Sequence, residues 1–113
     1  MTHTTEQSDL QNHVQFIADS LTDGTCLNGG IVEDGEELSA FDYLQDALDI
    51  EYIVNGKGEY LGARVLVAFG GPNIWVDTKR GIVEGAWWSD KASASFQDSI
   101  GLDDALSELW NCR

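Results

Sequence analysis

The chain has 113 residues, 42% of them apolar and eleven aromatic, which suffices for one domain (residues 1–113) with a core that needs no staple. Twenty acidic side chains face six basic ones, for a net charge of -14. No run approaches the roughly 18 apolar residues of a membrane span, the start lacks the basic-then-apolar pattern of a secretory leader, and the bases are too few for a phosphate-reading stripe. The expectation is a protein of the bacterial cytoplasm with no direct contact to membrane or nucleic acid.

In chain order, residues 1–7 are polar and are expected to fray. Leu10, Val14, Ile17 and Leu21 recur at helical spacing, which predicts an amphipathic helix over Thr5–Leu21. Residues 22–37 carry four glycines among acids and amides and predict an irregular acidic loop. Such a length is uncommon inside a small domain and is often functional. Ser39 stands as an N-cap with Asp42 three residues on, a weakened capping box. Phe41, Leu44, Ala47 and Leu48 then form the apolar face of a second helix, about Ala40–Asp49.

From there the period changes to two. Glu51–Val54 reads as a strand that ends at the turn signal Asn55-Gly56-Lys57-Gly58. Tyr60–Phe69 is the strongest strand pattern in the chain, apolar on both faces. Gly70-Gly71-Pro72-Asn73 turns the chain into a strand at Ile74–Asp77, and Thr78-Lys79-Arg80-Gly81 turns it again into Ile82–Trp88. Ser89–Ser99 fits either a short strand or a loop. Leu102, Ala105, Leu106, Leu109 and Trp110 mark a final helix, with Asp103 and Asp104 in the first turn, where the helix dipole favours them. Helices and strands are segregated. The predicted class is α+β, an antiparallel four-stranded meander packed on two to three helices in two layers.

Signals for chemistry are sparse. His3 lies in the polar start and His13 in the first helix, where a surface or boundary histidine is the plain reading. The glycine pairs sit between strands and do not precede a helix N-terminus, so they do not make a phosphate cradle. Glu33-Asp34-Gly35-Glu36-Glu37 lacks the alternating ligand spacing of a calcium loop. Cys26 and Cys112 match no metal or redox spacing. No catalytic residue, metal ligand or cofactor is assigned, and the chain is read as non-enzymatic.

The charge is distributed unevenly. The first 56 residues hold twelve acids and no Lys or Arg; the first base is Lys57. Eight of those acids, Glu33, Asp34, Glu36, Glu37, Asp42, Asp46, Asp49 and Glu51, gather in one segment. On a helix, Asp42, Asp46 and Asp49 share a face and repel one another by a few tenths of a kcal/mol per pair. The expected role of this ridge is to dock on a basic surface, in place of the closely spaced phosphates of a nucleic acid. An acidic surface kept for solubility alone is the competing explanation. A second candidate interface is the tryptophan-bearing sheet, with Trp75 on one strand and Trp87 and Trp88 adjacent on the next, their rings expected on opposite faces. An exposed Trp there is a candidate anchor for an adaptor, with a homodimer left open.

The run Tyr60-Leu61-Gly62-Ala63-Arg64-Val65-Leu66-Val67-Ala68-Phe69-Gly70-Gly71-Pro72-Asn73-Ile74-Trp75-Val76-Asp77, continuing to Trp87-Trp88, resembles small proteins carried on enterobacterial plasmids and prophages. The resemblance covers the second half of the chain. Together with its acidity and size, the chain is similar to the counter-defence proteins of phages and plasmids, the anti-restriction and anti-CRISPR inhibitors, and to the immunity and antitoxin proteins. That resemblance implies an inhibitor occupying a basic, nucleic-acid-binding surface of a host protein. It carries over no residue roles.

Overall fold

The computed structural model of the chain describes residues 2–24, 26–27, 30–31, 40–45 and 47–112. The elements run α1 (Thr2–Asp23), β1 (Cys26–Leu27), β2 (Gly30–Ile31), α2 (Ala40–Gln45), β3 (Asp49–Val54), β4 (Tyr60–Ala68), β5 (Asn73–Asp77), β6 (Ile82–Trp87), β7 (Asp90–Ser95) and α3 (Leu102–Asn111). β1 and β2 make a two-stranded ladder, and β3 to β7 make one antiparallel sheet in chain order.

The class is α+β as the pattern predicts, with five strands in the meander rather than four. The additional strand is β7, in the stretch whose sequence is ambiguous. It holds Asp90, Lys91, Ala92 and Ala94, all types depleted in strands, and it forms because β6 supplies a full partner from Ile82↔Ser95 to Trp87↔Asp90. The first helix begins at Thr2, so residues 2–7 of the polar start are part of α1. Much of the 22–37 stretch lies outside the described residues.

The second helix is shorter than its apolar period suggests. It ends at Gln45, and Leu48 instead donates its backbone N–H to the Leu66 carbonyl at 2.8 Å. Asp49 then opens β3, its carboxylate accepting the Ile50 N–H at 2.9 Å. Such local side-chain bonds compete with helix.

Cross-strand register sorts the sheet into two faces. Val65, Val76, Val83 and Ala94 lie level across β4 to β7. The three valines belong to the core with Ala63, Ile74, and Leu10, Val14, Ile17 and Leu21 of α1, and Ala94 packs against it partly buried. α1 packs over β6 and β7, and α3 over β4. The close seating of α1 depends on Gly85: a Cβ there would meet Val14 Cγ2 at 2.7 Å and Leu10 Cδ1 at 2.9 Å. Each fully buried leucine contributes about 1.5–3 kcal/mol.

α3 is held at both ends. The Asp98 carboxylate accepts the N–H groups of Leu102 and Asp103 at 2.7 and 2.8 Å, satisfying orphan donors of its first turn. The Tyr60 hydroxyl donates to Asp103 at 2.7 Å, and burial together with that carboxylate pushes the phenol well above its ordinary value. Trp110 donates its ring N–H to the Gly58 carbonyl at 3.1 Å and packs on Tyr52. Tyr43 of α2 is buried, and its hydroxyl has no partner among the described residues.

Candidate partner-binding surface

The acidic segment divides on the structure. Glu33, Asp34, Glu36, Glu37 and Asp46 lie outside the described residues, and Asp42 falls within α2. Asp49 and Glu51 are two residues apart on β3, so they share a face of an edge strand and not the face of a helix. The expected row of three aspartates along one helix therefore does not form, because the chain has already entered the sheet at Asp49. Nor is the segment without a compensating base. Arg64 stands opposite Glu51 in the β3–β4 register, and its guanidinium lies 3.4 Å from the Glu51 carboxylate. Both side chains are partly exposed, and such a pair contributes little.

Acids elsewhere are left uncompensated. Asp9 and Asp23 on α1 and Asp104 and Glu108 on α3 are exposed, and none has a Lys or Arg at ion-pair distance among the described residues. Asp77 behaves in the opposite way. It is buried at the end of β5, where it accepts the Arg80 N–H at 2.9 Å and the Arg80 guanidinium at 3.0 Å. Burial works to raise its pKa, but the bonds from Arg80 and the Lys79 N–H outweigh it and hold the carboxyl below its ordinary value. Arg80 also reaches Glu84.

The three tryptophans of the candidate sheet interface take separate roles. Trp75 lies on the face turned away from the core, with the Arg64 guanidinium 4.6 Å from the ring centre in a cation–π contact. With Asn73, Glu84, Lys91, Ser93 and the α1 residue Gln11 it lines an open groove of about 650 Å³. His13 is not part of that lining. Trp87 is partly buried against the core. Trp88 does not continue the strand, as the sequence pattern suggests; it begins the two-residue turn between β6 and β7, which the Trp87↔Asp90 pair closes.

That turn is the conformational outlier among the described residues. Tight hairpins of this length need positive φ at their first central residue, the place of Asn, Asp or Gly. Trp88 occupies it at φ 58, alone among the described non-glycine residues in having positive φ. Its side chain is 85% exposed. A bulky residue held in this region is strained; the surrounding structure must enforce such strain, and it clusters at functional sites. Phe69 and Leu48 follow at 72% and 60%, and no other large apolar residue among those described exceeds 45%.

Sequence reasoning placed Trp88 on a candidate interface but missed Phe69 and Leu48, assigning the first to a strand face and the second to a helix face. The glycine turn directly after Phe69 was the available signal for the first of these. Among the described residues, no group of three or more His, Cys, Asp or Glu is placed to hold a metal ion, and no helix is long and apolar enough to cross a membrane. No family model, no curated protein and no solved structure matches the chain.

Proposed function

We propose that the chain is a non-enzymatic binding protein that docks on a basic, nucleic-acid-binding surface of another protein and inhibits it by taking the place of the nucleic acid. The observation that carries this reading is the uncompensated charge. A net -14 resides on 113 residues, and two of the six bases, Arg64 and Arg80, are already engaged by Glu51, Asp77 and Glu84. The exposed acids of α1 and α3 extend the negative surface beyond the segment from Glu33 to Glu51. A field of this sign accelerates encounter with a cationic cleft and repels other acidic macromolecules.

The test is competition. A pull-down from bacterial lysate at about 0.05 M and about 0.5 M salt should retain nucleic-acid-binding proteins at the lower concentration and release them at the higher, where screening shortens to a few Å. Duplex DNA should displace the chain from whatever it retains. Retention that ignores both salt and DNA would remove the mimicry reading.

A further inference from the structure

Among the described residues, the three most exposed large apolar side chains, Leu48, Phe69 and Trp88, come from distant parts of the sequence, and the meander brings them to one end of the sheet. Leu48 leads into β3, whose first residue pairs with Leu66 near the end of β4. Phe69 follows β4, and Trp88 follows β6. In an antiparallel sheet these are the same end. From β3 to β6 is three strand spacings, so the strand ends that carry the three residues span about 14 Å. That is the dimension of a hot-spot cluster, in which a few large side chains dominate an interface.

We infer that this end is the anchor of the interface, inserting Trp88 and Phe69 into an apolar pocket on a cationic protein. This deepens the proposed function and rests on it. Charge selects the occupant. A second copy of the chain would bring -14 against -14, and an anionic bilayer would repel the same field. A cationic protein is attracted. Asp49, exposed and next to Leu48, borders the patch with negative charge, and the acid-rich segment enters the sheet at this point. The surface sought is therefore an apolar pocket ringed by Lys or Arg. The strained turn under Trp88 adds an independent reason, because glycine there would fold more easily and bind less.

The experiment uses the full chain and two synthetic helical peptides of equal length and charge, one of Lys and Leu, the other of Lys and Gln. Binding is followed by calorimetry at about 0.05 M and about 0.5 M salt. The wild type should prefer the Lys/Leu peptide by about tenfold or more, the preference persisting at high salt. The double variant Trp88→Ser/Phe69→Ser should lose that preference while keeping its low-salt affinity for the Lys/Gln peptide. Trp88→Gly, which relieves the turn, guards against a folding artefact and should lose preference as well. Equal binding of both peptides by the wild type, or a preference that survives in the variants, would overturn the anchor and leave the charge reading standing. Failure of both peptides to bind at low salt would overturn both. Binding to phosphatidylcholine vesicles as tight as to the Lys/Leu peptide would assign the patch to a membrane, and a dimer abolished by the double variant would assign it to a second copy.

Discussion

The two ends of the five-stranded sheet are built to different standards. At one, the β3–β4 turn is closed by Asn55, whose side-chain oxygen accepts the N–H groups of Lys57 and Glu59 at 2.9 and 3.0 Å, with Gly58 at φ 79. The β5–β6 turn beside it is closed by buried Asp77 on Arg80, with Gly81 at φ 69. Each residue there fits the conformation it must adopt. At the other end, Trp88 holds a positive φ and Phe69 stands in solvent. Local agreement between residue and backbone is what folding alone favours, and its absence at one end points to a demand made from outside the fold.

The comparison can be broken most forcefully at Asp77. Asp77→Ala leaves the Arg80 N–H and guanidinium without their buried acceptor and should destabilise the protein by about 2–3 kcal/mol in urea melts. The sign of its pH dependence follows from its pKa, which lies below the ordinary 3.8. Its stabilisation is complete above 3.8 and fades as pH falls through the lower folded value. Asp77→Asn should therefore flatten the acid limb of the stability curve, and an unchanged limb would remove Asp77 as its source. Gly62→Ala comes next. The new Cβ would sit 2.5 Å from Lys79 Cβ and 3.0 Å from Lys79 Cα, an overpacking worth about 1–3 kcal/mol at the same end.

Trp88→Gly should act in the opposite direction. Releasing a non-glycine residue from the left-handed region recovers about 1 kcal/mol, less what glycine loses in conformational freedom on folding. A higher urea midpoint with weaker binding of the cationic Lys/Leu peptide would set the two ends apart as fold and function. A lower midpoint would mean that the Trp88 ring supports the hairpin and that the contrast is false.

The same contrast explains which parts of the fold the sequence disclosed. Helix α1, the core strand β4 and the turns at Asn55 and Gly81 were legible because period, propensity and turn chemistry agree there. The hairpin of β6 and β7 was not, because its turn carries Trp-Ser where Asn-Gly or Gly is the usual sign, and because β7 is made of poor strand formers. Leu48 was misread for a related reason. Its spacing from Phe41 and Leu44 fits a helix, but the hydrogen bond to Leu66 draws it into the sheet and leaves its side chain outside. Two of these failures, the unread turn and the misplaced leucine, fall at the exposed end. Of the acidic segment, the clustering was visible in the sequence; its geometry was not, since three aspartates at helical spacing say nothing of where the helix stops.

The smallest predicted effect separates the alternatives most cleanly. Phe69→Ser should change the unfolding free energy from urea melts by no more than about 0.5 kcal/mol, the range of surface substitutions that touch no cap, core or buried pair. An aromatic ring that is 72% exposed leaves little apolar area for folding to remove from water. A residue on which stability does not depend is free to drift to a polar type, and solubility favours that drift in a chain whose surface is otherwise acidic. If Phe69→Ser proves neutral in the melt and loses affinity for the Lys/Leu peptide, the ring belongs to the interface with Trp88. If it destabilises by 2 kcal/mol or more, Phe69 is a packing residue of the β4–β5 turn, and the exposed end shrinks to one strained tryptophan.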